Sequence, residues 1–374
     1  MKKIAIAATT LALIASTIAG TPAANAATVP ASKATVLAEC SKIGEVAKGR
    51  GADGSDLKCG TATVGSMQGK KVWLYPTLPA LASVDVVIPN KLTSGFGGFG
   101  RAIADALKAE GLSKTEPVLT EKALTYNLTL DYFNKELAGQ AGKLGVTGFA
   151  QVSGAYTTRS ATRPSAGVGA ARMMAEYEAI AVKADSKYTT IESLIADLKA
   201  NPKGMTIVGG NVGGIDNYTA AQLFDALNLG IGQMSYVANQ GKVPASLLSD
   251  AKYAFGISGY ADFAPFVKAG TLRILAVTSP KKLADVAAPT LVSKKLDVVV
   301  ENWRGIMLPP GTSKTKGRNL VIRALDVVTH SKSFKDYLVS QTAFSNFLPG
   351  DDFQGWLKSN EAGIKKLLIN VGLL

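Results

Sequence analysis

The chain has 374 residues, 47% of them hydrophobic and 18% charged, which excludes a disordered or membrane-embedded protein and leaves room for two domains with real cores. Its formal charge of +13 favours anionic partners, yet no run of about five or six basic residues occurs, so nucleic acid is excluded as a partner and the lysines read as scattered over solvated faces. With His330 as the single histidine, the usual His-rich zinc signatures are excluded too.

At the N-terminus Lys2 and Lys3 precede an apolar run from Ile4 to Ile18, which fades into small residues ending in Ala24-Asn25-Ala26. The run is too short to span a bilayer comfortably and the small-x-small triplet suits signal peptidase, so residues 1–26 read as a cleavable signal peptide and the product as periplasmic or secreted. No cysteine stands at the cut, which argues against a lipid anchor. Cys40 and Cys59 follow in a Gly-, Ala-, Ser- and Lys-rich stretch, and in an exported protein a disulfide is the natural reading, ahead of two free thiols or half a metal site. Residues 27–80 are therefore expected to form an extension fastened by that bridge; whether it joins a cleft, a lid or an attachment arm stays open.

Beyond it, Val84 to Pro89 reads as a strand, followed by a Gly-rich loop and a helix over Arg101–Glu110. The unit recurs as Met205–Val208, a second Gly-rich loop and a helix from Tyr218 to Leu229. Further strands are expected at Lys143–Val146, Tyr177–Val182, Ala251–Ile257, Leu272–Val277 and Val298–Val300. Helices are expected over Thr190–Lys199, Val243–Ser249, Arg318–Thr329, Ser333–Gln341 and Asp351–Ile369. Strand, loop and helix in alternation predict an α/β fold. Two lobes joined by crossing strands fit better than separate beads, with 81–180 plus 280–374 as lobe 1 and 181–279 as lobe 2.

Gly95-Phe96-Gly97-Gly98-Phe99-Gly100 matches G-x-G-x-x-G, and Glu121 sits where a ribose-binding acid would stand. Five residues separate the strand from the first glycine, however, and a small ligand at a helix N-terminus uses the same glycines equally well. Gly256-Ile257-Ser258-Gly259-Tyr260 lacks the last glycine of a nucleophile elbow. An exported hydrolase or NAD-binding oxidoreductase is thus the weaker alternative, together with a ligand-binding sensor partner; the preferred reading is not an enzyme and has no cofactor.

Several stretches resemble the periplasmic solute receptors of tripartite tricarboxylate transporters, the Bug receptors. Gly213-Gly214-Ile215-Asp216-Asn217-Tyr218 with Ala220 to Phe224 is similar to that family's loop and helix start, Tyr218 standing where His is usual. Tyr236 to Gly241 resembles Val-Pro-Tyr-Lys-Gly, with Gln240 for Lys. Lys268 to Ser279 is close to Lys-Ala-Gly-x-Leu-Arg-x-Leu-Ala-Val-Thr-Ser, and Pro289-Thr290-Leu291 and Trp303-Arg304-Gly305 through Thr312 continue in order. In the first loop the family's paired glycines fall on Thr93 and Ser94 and its aspartate on Gly97.

The resemblance implies a two-lobed type II periplasmic-binding-protein fold with a hinged inter-lobe cleft. It also implies capture of a small organic carboxylate for membrane transporter subunits, by what is expected to be a monomer. The binding residues expected are Thr93, Ser94, Gly95 and Phe96 in the first loop, and Phe149, Ala150 and Gln151 after the Leu144 strand. Lobe 2 would add Gly214, Ile215, Asp216, Asn217 and Tyr218, with Ser258 and Tyr260 at the far wall. Amides and hydroxyls would hold the carboxylate, and Phe96 and Tyr260 would pack its carbon skeleton. Asp216 would either cap its helix or select a hydroxyl or amine at the ligand's other end. Arg304 reads as a surface ion pair or, more sharply, as a ligand contact.

Overall fold

The computed structural model describes residues 27–374 apart from Gln240, Gly241, Asp285 and Val371; the expected signal peptide lies outside the described residues. Among the described residues no helix is long and apolar enough to cross a membrane. The chain first builds a small antiparallel sheet from β1 (Val46–Ala47), β2 (Leu57–Thr61) and β3 (Lys71–Leu74). Then come β4 (Asp85–Ile88), α1 (Gly95–Ala109), β5 (Val118–Glu121), α2 (Tyr126–Asp131), β6 (Lys143–Gly148), α3 (Phe149–Thr157) and the long β7 (Val168–Lys183). Next are α4 (Ile191–Ala200), β8 (Thr206–Gly209), α5 (Ile215–Ala226), β9 (Tyr236–Ala238), α6 (Val243–Ser249), β10 (Tyr253–Gly259), α7 (Tyr260–Lys268) and β11 (Leu272–Val277). The chain closes with β12 (Glu301–Leu308), α8 (Asn319–His330), α9 (Lys332–Ser340), β13 (Phe344–Pro349) and α10 (Gly350–Asn370).

Strand β7 organises the main sheet, whose order is β5-β4-β6-β12-β7-β10-β8-β9 with β11 and β13 also on β7. Its first part, Val168 to Tyr177, pairs with β12, and its last part, Glu178 to Lys183, pairs with β10 and β11. One strand thus belongs to both halves of the molecule. Its near-continuous apolar run is what burial on both faces requires. Ile180 and Val182 of β7 pack with Ile207, Phe224 and Phe255 in the second half. In the first half, Met173 and Met174 pack with Phe99, Ile103, Leu325 and Phe334.

Helix α1 begins where the sequence predicts a loop. Ser94 caps it, accepting from the Gly97 amide at 3.2 Å. A Cβ on Gly97 would stand 2.1 Å from the Leu92 carbonyl oxygen, and one on Gly100 would stand 3.0 Å from the Ile88 side chain. The glycines therefore let the helix approach its strand and loop closely, and Glu121 accepts the Leu92 amide at 2.7 Å. The G-x-G-x-x-G match is thus helical packing, with its acid already engaged. Val298–Val300, expected as a strand, is irregular chain leading into β12.

Residues 27–80 dock on the first half of the molecule. The Cys40–Cys59 disulfide is present, and both cysteines, Leu57 and Trp73 share one core with Phe99, Leu107 and Val328. Tyr75 donates to Asp326 of α8 at 2.6 Å, and Arg323 of α8 pairs with Asp53 at 2.6 Å. The bridge spans 19 positions, so Cys40→Ser/Cys59→Ser should lower stability by roughly 3 kcal/mol on the chain-entropy model. Denaturant unfolding checks this. Ligand affinity should stay unchanged, because no residue of 27–80 is among those lining the main cleft.

Candidate functional site

A cleft of about 560 Å³ opens where β7 leaves β12 and takes up β10. Such a switch in strand pairing is where open α/β sheets bind ligands. Glu176 and Glu178 of β7 both line it, as residues two apart on one strand share a face. Tyr177 between them stacks on Phe344 at 4.9 Å between ring centroids. From β12 come Asn302 and Arg304, from the start of α1 Gly95, and from α3 Ala150, Gly154 and Thr157. The second half contributes the loop from Gly210 to Gly214, Ile215 and Asp216 of α5, Lys242 before α6, Ser258 of β10 and Asp262 of α7.

Arg304 is only 8% exposed. Its Nη2 reaches the Glu176 carboxylate at 2.8 Å, and Asn302 donates to the same oxygen at 2.9 Å. Burial acts to lower the guanidinium's pKa, but Glu176, Tyr337 and Glu178 together outweigh it and the net shift is upward. The expected surface ion pair is therefore a buried one within the cleft. Gly95 lies close beside it, a Cβ there standing 2.9 Å from Nη2. The guanidinium thus lies against the N-terminus of α1, where two sources of positive potential coincide.

The cleft is also lined with acidic side chains. Glu178 is fully buried, its carboxyl set beside that of Asp216. Burial and then the neighbouring Asp216 charge push its pKa well above the usual carboxylate range. Asp216 is pushed up to about 7, chiefly by burial, against the opposing effect of the Gly210 amide, which it accepts at 2.6 Å. The helix cap expected of Asp216 is absent: Gly214 is the N-cap of α5, and Asp216 ties the loop back on itself instead. Ser258 donates to Asp262 at 2.6 Å.

Of the residues expected from sequence, Gly95, Ala150, Gly214, Ile215, Asp216 and Ser258 line this cleft; the others have different surroundings. Thr93 is exposed before α1, Ser94 caps that helix, and Phe96 is buried in the core of the first half. Phe149, Ala150 and Gln151 form the first turn of α3 rather than a loop. Phe149 packs edge-on against Tyr218 of α5 at 4.8 Å, and Ser153 donates to the Gly213 carbonyl, so these residues join the two halves beside the cleft. Gln151 faces a separate small cavity, Asn217 accepts the Gly213 amide at 3.0 Å, and Tyr260 packs beside the core around Phe263. His330 pairs with Asp326 of α8 and is not among the cleft-lining residues, so Ser258 has no histidine base there.

A two-halved α/β molecule with a cleft at its shared strand defines a solute-binding protein. The model of the tripartite tricarboxylate transporter family receptor matches residues 166–367, and the chain belongs to that family. The fold is similar to that of a TctC solute-binding protein from Polaromonas, with TM-score 0.63 and 21% identity, over 79% of this chain and 99% of that one. It is also similar to MatC from Rhodopseudomonas palustris with bound malate, with TM-score 0.60 and 15% identity, over 79% and 100%. An R. palustris protein with adipate gives TM-score 0.63 and 17% identity, over 80% and 98%. No curated protein matches the sequence significantly.

Proposed function

We propose that this receptor captures a small organic carboxylate in the cleft and delivers it to membrane transporter subunits, acting outside the cytoplasm as a monomer and not as an enzyme. The observation that carries the reading is Arg304: a family receptor presents a buried guanidinium to its cleft beside the N-terminus of α1. There a carboxylate would gain charge-assisted hydrogen bonds with little competing water. Lys242 at the rim adds a second cation. The malate and adipate of the structurally similar proteins are carboxylates of fitting size. Separate apolar cores toward the two ends of β7 support a division into two lobes, with Leu291, Val298 and Val300, assigned from sequence to lobe 1, packing in the second core.

A thermal-shift screen of residues 27–374 against mono-, di- and tricarboxylates, amino acids, aromatic acids and NAD tests it. A carboxylate at ~100 times its dissociation constant should add about 2.7 kcal/mol. Stabilisation by NAD alone would overturn the receptor reading.

A further inference from the structure

A second cavity, of about 180 Å³, lies where the disulfide-fastened extension meets the first half of the molecule. Val36, Leu37, Val64 and Leu78 line it from the extension, Val327 from α8 and Glu110 from the end of α1. It shares no lining residue with the cleft, and most of its wall lies outside residues 166–367, the stretch that matches the receptor family. A cavity of this size has room for roughly six waters, which aliphatic side chains cannot hydrogen-bond. A short hydrocarbon that displaces them therefore binds favourably.

Glu110 sets the polarity of the occupant. It is 3% exposed and is the only charged residue in that wall. Its Oε2 accepts the Ser66 amide at 3.1 Å, and Gly65, at φ 79°, lets this loop close on the carboxyl, where a Cβ would meet Oε2. Its Oε1 is buried without a hydrogen-bond partner among the described residues. The nearby Tyr75 hydroxyl is not that partner, since it donates to Asp326 at 2.6 Å. A carboxylate oxygen in apolar surroundings is destabilising until a donor reaches it, and a cationic donor makes the stronger, charge-assisted bond. We propose that this cavity is a second binding site, which takes a short alkylammonium or arylalkylammonium solute with its hydrocarbon body among Val64, Leu78 and Val327 and its ammonium on Glu110. The wall is complete only when residues 27–80 are docked, so the bound amine also strengthens that docking.

Methyl-labelled NMR titration of residues 27–374 with butylamine, hexylamine and phenethylamine, each beside the alcohol and the carboxylate of the same chain, tests this. Shifts should centre on the methyls of Val64, Leu78 and Val327, and the best amine should bind about tenfold or more tightly than its alcohol, with the carboxylate weakest. Glu110→Gln keeps an acceptor for the Ser66 amide and should bring the amine down to the level of the alcohol. Leu78→Trp, at a position 43% exposed and so compatible with folding, should fill the cavity and weaken amine and alcohol alike by about tenfold or more. Equal binding of amine and alcohol by the wild type, a preference that survives Glu110→Gln, undiminished binding by Leu78→Trp, or shifts centred on the cleft would each overturn the site. So would the absence of amine binding up to about 10 mM.

Discussion

Replacing Arg304 by alanine is expected to cost about 3–5 kcal/mol of stability, because it strands the Glu176 carboxylate in a buried position. Glu176 is 8% exposed and would keep only the Asn302 amide of its two partners. The loss also removes a positive charge that interacts with Glu178, so repulsion among the cleft carboxylates grows. The double variant Arg304→Ala/Glu176→Gln removes the stranded charge and should recover most of the stability. Carboxylate affinity should stay at least ~30-fold reduced in both variants, the equivalent of about 2 kcal/mol for a desolvated charge-assisted pair. Denaturant unfolding reads the first effect and calorimetry the second. Affinity within about threefold of the wild type in the double variant would remove Arg304 from the ligand site.

The ligand-free protein should be more stable at pH 5 than at pH 8, and Asp216→Asn should flatten that difference. Asp216 is pushed up to about 7 in the folded protein from an ordinary 3.8. Between about pH 4 and pH 7 the native state therefore binds more protons at this site than the unfolded chain does, and stability falls as pH rises through that window. The contribution is at most about 4 kcal/mol, and Glu178, raised in the same direction, adds to its sign. His330, whose pKa Asp326 raises despite burial, also loses stability with rising pH, so the difference between wild type and variant isolates the pair. Asp351, held at about 2 by Arg318, acts only as pH falls below about 4. At pH 8 Asp216→Asn should be the more stable protein.

How far the sequence carries the account differs from one element to the next. Leu272–Val277 and Val243–Ser249 are bounded by turns and breakers and fold with the expected limits. Helix α1 starts earlier than expected because glycines disfavour helix intrinsically, by about 1 kcal/mol each, while close packing on Ile88 and Leu92 demands them. Helix α3 gives no start signal, since Gly148 makes no side-chain cap, and so its first turn resembles a loop. The cleft carboxylates are the instructive omission. Glu176 and Glu178 stand two apart in an otherwise apolar run from Met173 to Val182, and two carboxylates on one face of a buried strand are a signal of function. Starting the strand at Tyr177 hid it, because Glu176 then resembled a polar boundary. Arg304 was legible as a residue of interest, but its burial follows from the pairing of β12 with both β6 and β7, which no local pattern reveals.

The central claim is that a small carboxylate binds in the cleft at the shared strand. Calorimetric titration of residues 27–374 with the best carboxylate of the screen, run beside Ala150→Trp, tests it most directly, since Ala150 lines the cleft at the start of α3. The account predicts one ligand per chain for the wild type and loss of binding when the indole fills the cleft; undiminished binding by the variant would place the ligand elsewhere and contradict it.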